Sequence, residues 1–138
     1  MKYKFLKITG DIGFYRDVYL ENEETGKIEC CFDDSILSST NNFEFMKIEE
    51  SYECKIALFG TLAEKAVVSM PEYIVECTVI DRRCSIGRLN FMKVEVEGST
   101  YYIQLVDLGE DFNNTKFKFQ CTRKDLIQVD DVIHHRIL

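Results

Sequence analysis

An all-β or mainly β fold, built as a small antiparallel barrel or sandwich with one or two short helices, is what this sequence predicts. Three observations carry that expectation. Apolar and polar residues alternate with period two through most of the chain, in stretches rich in Val, Ile, Tyr and Phe. Turn formers such as Gly and paired acids separate those stretches. Only one proline, Pro71, interrupts 138 residues, and no Gly/Ser-rich linker divides them, so a single domain spanning 1–138 is expected.

The elements follow in order. Residues 2–9 alternate lysines with Tyr3, Phe5 and Leu6, and read as a first strand. Strands are expected at 14–20 and 27–32, joined across the turn sequence Glu23-Glu24-Thr25-Gly26-Lys27. A further strand at 52–59 leads into "GTLAEKAVV", where Thr61 precedes Glu64 by three residues. That spacing is a capping box and predicts a short helix over 60–68. Strands at 73–80, 91–97 and 100–107 come next. In the clearest hairpin Met92, Val94 and Val96 share one face, Lys93 and Glu95 share the other, and Gly98-Ser99 forms the turn. A strand at 116–121 precedes a second short helix in "CTRKDLIQV", with Thr122 and Asp125 near its start, and 132–137 closes the set. This mix of strands, one helix and a return to strands resembles the oligonucleotide-binding barrel in general shape.

Composition narrows the function. Seventeen Lys and Arg stand against twenty-four Asp and Glu, a net charge of −7. A surface so charged repels polyanions and attracts basic partners, so nucleic acid is disfavoured as a whole-surface ligand. The first ten residues carry lysines throughout, and no stretch approaches the eighteen or so apolar residues of a membrane span. A soluble, cytoplasmic protein with no membrane partner is expected.

The stretch "IECCFDDS", residues 28–35, looks the most chemical. On a strand, however, adjacent cysteines diverge, and no Cys-x2-Cys occurs in the chain. No metal or other cofactor is therefore expected. Alternation puts Cys30 beside Ile28 and Phe32, and places Cys54, Cys77 and Cys121 on apolar faces as well. These thiols should be buried, leaving Cys31 and Cys84 as the accessible ones. The same test separates His134 and His135 near the C-terminus, with His135 packed beside Ile133 and Ile137 and His134 solvated. No catalytic residues are assigned, and the protein is expected not to be an enzyme.

Two sets of residues remain as binding candidates. Acidic doublets at strand ends, Asp33-Asp34, Glu49-Glu50 and Glu110-Asp111, join the aromatics Phe43 and Phe45 of a long connection. Together they suggest a non-enzymatic module that engages a basic protein, for instance a bacterial immunity or inhibitor protein masking a toxin. The alternative is a small barrel binding an anion or nucleic acid through a loop, residues 82–93, that carries Arg82, Arg83 and Arg88. Phe91, Tyr101 and Tyr102 would then serve as stacking platforms.

Overall fold

A computed structural model describes residues 1–11 and 13–138. They form nine strands: β1 (Lys2–Thr9), β2 (Arg16–Asn22), β3 (Ile28–Asp33), β4 (Ser51–Leu62), β5 (Ile74–Ile86), β6 (Leu89–Val96), β7 (Ser99–Gln104), β8 (Lys116–Val129) and β9 (Val132–Ile133). The fold is mainly β. Helical turns among the described residues are limited to four three-residue 3-10 pieces, and no helix is long and apolar enough to cross a membrane.

All nine strands belong to one sheet, ordered β3-β2-β1-β4-β7-β6-β5-β8-β9. β8 also pairs with β3 and β4, which closes the sheet into an uneven, barrel-like ring. The long antiparallel ladder of β4 with β8 runs through the middle, from Cys54↔Val129 to Leu62↔Phe119. On one side of it β1, β2 and β3 complete a ring, closed by the parallel pairing of Phe32 with Asp125. On the other side β5, β6 and β7 complete a second, closed by the parallel pairing of Ala57 with Tyr102. One apolar core fills both halves, with Phe5, Leu20, Phe43, Ile56, Ile103 and Phe119 fully or almost fully buried. A smaller cluster of Ala57, Ile86, Phe91, Tyr102 and Ile127 lies beneath the C-terminal segment, with Ile137 packed against it.

Both expected helices are strand instead. Thr61 and Leu62 continue β4 by pairing with Gln120 and Phe119, and only Ala63–Lys65 make a helical turn. Residues 121–129 extend β8, where they pair with 54–60 of β4. Local capping signals stabilise a helix by only about 1 kcal/mol, less than a continuous ladder over a buried face contributes. The 91–105 hairpin has its expected faces, with Met92, Val94 and Val96 buried. Its turn is one residue earlier than expected: Glu97 and Gly98 both have positive φ, of 50° and 84°, and Ser99 is a buried strand residue paired with Val96. Such a two-residue turn matches the twist of the strands it joins.

The inward face of β3 is the opposite of the one expected. Glu29, Cys31 and Asp33 point into the barrel, whereas Ile28 is 56% exposed and Cys30 is exposed. Register decides this, because Cys31 and Glu29 pair with the buried Val18 and Leu20 of β2 and must share their face. The last expected strand, 132–137, ends at Ile133. Beyond it alternation no longer applies, and His134 is the buried histidine while His135 is half-buried.

Candidate functional site

At one end of the barrel the starts of β1 and β4 meet the ends of β2 and β8. Lys4 pairs with Glu21 and Ser51, and Lys2 with Glu53. This register brings acids from four segments together. Ser51 Oγ donates to Glu23, Lys4 Nζ lies 3.1 Å from Glu49, and the Glu53 amide donates to Asp130 Oδ1 at 2.9 Å. The Glu49 amide donates to Phe5 O and the Phe5 amide to Glu50 O, which fixes the acidic pair against β1. Positive φ at Glu49 and Asp130, 74° and 51°, turns the chain sharply at both places.

Among these acids stand two exposed apolar side chains. Phe45 is 42% exposed and packs edge-on against Tyr52, with ring centroids 5.9 Å apart. Ile48 is 54% exposed and directly precedes Glu49. Beneath them Phe43 and Met46 are buried and anchor the connection, so Phe45 and Ile48 project from a fixed base. Phe43 therefore belongs to the core rather than to any contact surface, contrary to the expectation from sequence.

Asp33 and Asp34 are likewise committed internally. Asp33 is fully buried, accepts from Arg16 Nε at 2.8 Å, and caps the Ser35 amide at 2.9 Å. Asp34 accepts from His134 Nε2 at 2.7 Å and from Arg136 at 2.6 Å. The other ring nitrogen of His134, Nδ1, accepts from the Arg136 amide at 3.1 Å. Both nitrogens are thus engaged, and this histidine fastens the C-terminal segment rather than offering a free base.

The arginines do not form a loop cluster. Arg82 and Arg83 lie on β5, where the register with β6 slips between Val79 and Asp81 and again before Cys84. Arg82 donates to the carbonyls of Asn113 and Asn114 at 2.8 and 3.2 Å. Arg88, in the β5–β6 turn, instead holds the carbonyl of Arg136 at 2.7 Å. Glu110 lines the same 590 Å³ cavity as Arg82 and Arg83, with Leu105, Val106 and Phe112. Acidic and basic candidates that looked separate in sequence therefore share one surface and offset each other's field. Asp111 is exposed nearby in the chain.

All six cysteines are free, and among the described residues no three His, Cys, Asp or Glu side chains are placed to hold a metal. Loss of hydration pushes the thiols of Cys54 and Cys77 up to about 12, and that of Cys31 well above the ordinary thiol value. Cys54, Cys77 and Cys121 are buried as expected, but Cys31 is the buried member of its pair and Cys30 the exposed one.

Two features escaped the sequence reading. The Glu29 carboxylate is buried inside the barrel, where Lys124 and the Tyr101 hydroxyl bond it. On the outer wall the Arg123 guanidinium lies 4.5 Å from the Phe32 ring centre and 4.7 Å from that of Phe59, and forks onto Asp125 at 2.6 and 3.0 Å. Each joins residues about 60 to 95 positions apart, a pairing only the fold reveals. Comparison of the sequence with protein-family models and with curated proteins finds no match.

Proposed function

We propose that the protein is a non-enzymatic binding module that engages a basic protein through the acidic end of its barrel. The observation that supports this best is the gathering of Glu21, Glu23, Glu49, Glu50, Glu53 and Asp130 around exposed Phe45 and Ile48. The acids steer a basic surface and the apolar pair supplies desolvated contact, a division of labour usual in protein interfaces. An inhibitor or bacterial immunity protein that masks a basic active site is the kind of protein this describes. Six unpaired thiols fit a reducing, cytoplasmic setting.

The second reading, a barrel that binds nucleic acid or another anion, draws on the five-stranded ring β1-β2-β3-β8-β4, which resembles the oligonucleotide-binding barrel. Its cations are largely engaged already: Arg123 by Asp125, Arg82 by carbonyls, and Arg88 by the C-terminal segment. Lys4 and the N-terminus pair with Glu49 and Glu53 in the same way, so the protein-binding reading takes precedence on the exposed Phe45 and Ile48 beside the acids.

Affinity capture from the source cells tests it, using wild type, Phe45→Ala/Ile48→Ala and Glu49→Lys/Glu50→Lys as parallel baits. A basic protein retained by wild type and lost from both variants is the expected result. Retention of the same protein by all three would remove this end of the barrel from the interaction.

A further inference from the structure

The first ring is not sealed along its whole height. β3 pairs with β2 from Asp33↔Arg16 to Ile28↔Glu21, but its other edge meets β8 at one position, Phe32↔Asp125. Antiparallel pairs alternate between bonded and non-bonded residues. Because the Asn22 amide donates to Lys27 O at 2.8 Å, the next bonded pairs are Leu20↔Glu29 and Val18↔Cys31. The N–H and C=O groups of Ile28 and Cys30 therefore point away from β2 and toward β8, with which β3 shares a ladder position only at Phe32.

The gap is a groove with two walls. At its upper end a 400 Å³ cavity runs between Cys30 and Phe32 on one side and Tyr73, Cys121, Thr122 and Arg123 on the other. At its lower end a 690 Å³ cavity lies between Lys27 and the first residues of β5, Ile74 to Thr78. Lys124 reaches across the floor to the buried Glu29 carboxylate. Along the lip, Ile28, Cys30 and Phe32 present an outward row at every second position, with Ile28 56% and Tyr73 46% exposed.

We infer that this seam is a docking site for one extended segment of a partner polypeptide, which adds as a strand to the free edge of β3. Backbone donors and acceptors that face away from β2 at every second residue are matched by another strand and by no other common structure. The row Ile28, Cys30, Phe32 selects apolar side chains at alternate positions of that segment, since neighbours on one face of a sheet pack directly against each other. The seam borders the acidic end, since Glu21 pairs with Ile28, but it does not use Glu49 or Glu50, which lie beyond β1.

The test uses the intact protein and random peptides of about twelve residues displayed on phage. Selected peptides, synthesised with a fluorophore, are titrated by anisotropy against wild type, Cys30→Pro, Ile28→Lys and Glu49→Lys/Glu50→Lys. Proline at position 30 removes a donor that faces the groove and leaves the bonded pairs of β2 with β3 intact. Expected are peptides with alternating apolar residues, bound about tenfold or more weakly by Cys30→Pro and Ile28→Lys and unchanged in the Glu49/Glu50 variant. Hydrogen exchange of the free protein should show fast amides at Ile28 and Cys30 beside slow ones at Glu29 and Cys31, with the fast pair slowed by peptide. Should Cys30→Pro fail to fold, Ile28→Lys and the exchange pattern carry the comparison. Failure to enrich any peptide, equal binding by Ile28→Lys, or amides at 28 and 30 already slow in the free protein would each overturn the inference.

Discussion

Arg16 and Asp33 illustrate how single residues decide this structure. Neither stands out on a strand read by alternation, yet they form a charge pair 6% and 0% exposed, with Arg16 also donating to Phe43 O at 2.8 Å. Removing one partner leaves the other charge buried without compensation. Arg16→Ala should therefore cost about 3–5 kcal/mol, read as a lower urea midpoint at neutral pH. The thiols set an alkaline limit. Cys54 and Cys77 are held up to about 12 by burial, whereas an unfolded chain ionises its thiols near 8.5. Between those values the unfolded chain releases protons that the folded chain retains, so stability is intact below about pH 8.5 and falls as pH rises toward 12. On the acid side, burial, His134 and Arg136 lower the proton affinity of His135, so unfolding is favoured as pH drops below about 6.5, where the unfolded histidine charges. Chemical melts across pH 5–11 check both limits, and native thiol labelling should reach Cys30 long before Cys31. The cysteine order was illegible in sequence because alternation separates two faces without saying which is inside. Glu29 and Asp33 could turn inward only because Lys124 and Arg16 meet them there.

Strands were legible where one face is plainly apolar, as in β6 and the first half of β4. They were misread where local helix signals met a long-range ladder. "CTRKDLIQV" carries helix-cap residues, but it pairs along β4 with register shifts at Lys55/Ile56 and Phe59/Gly60, and the first of these lets Leu126 and Val129, three residues apart, both be buried. The C-terminal segment after β9 is a similar case, since it has no regular element of its own and is held by its neighbours. Gly87 has φ of +59°, and a Cβ there would meet the Ile137 carbonyl oxygen at 1.8 Å. Arg88 adds two bonds, from its amide to Ile137 O at 2.6 Å and from its guanidinium to Arg136 O. Gly87→Ala should displace residues 134–138 from the small core cluster and lower stability by about 2 kcal/mol or more. Limited carboxypeptidase digestion reads this directly, with faster trimming of the variant at equal enzyme.

Over the whole molecule the sequence conveyed net charge and β character, but not the closure of two rings about a shared β4–β8 ladder. That closure rests on two single parallel pairings between residues far apart in the chain. It also sorted the acids: Asp33 and Asp34 turned inward to cations and Glu110 came to lie beside Arg82 and Arg83. Glu49 and Glu50, by contrast, joined Glu21, Glu23, Glu53 and Asp130 around Phe45 and Ile48. Lys2, Lys4 and the N-terminus offset part of this charge, and the net negative field that remains accelerates association with a basic surface and is screened by salt, with a Debye length of about 10 Å at 0.1 M and about 30 Å at 0.01 M. The direct measurement is the association rate with the captured partner in stopped flow at those two ionic strengths, for wild type and Glu49→Lys/Glu50→Lys. Wild type should bind roughly tenfold faster at low salt, and charge reversal should remove most of this advantage. Equal rates at both ionic strengths, unchanged by the reversal, would contradict it.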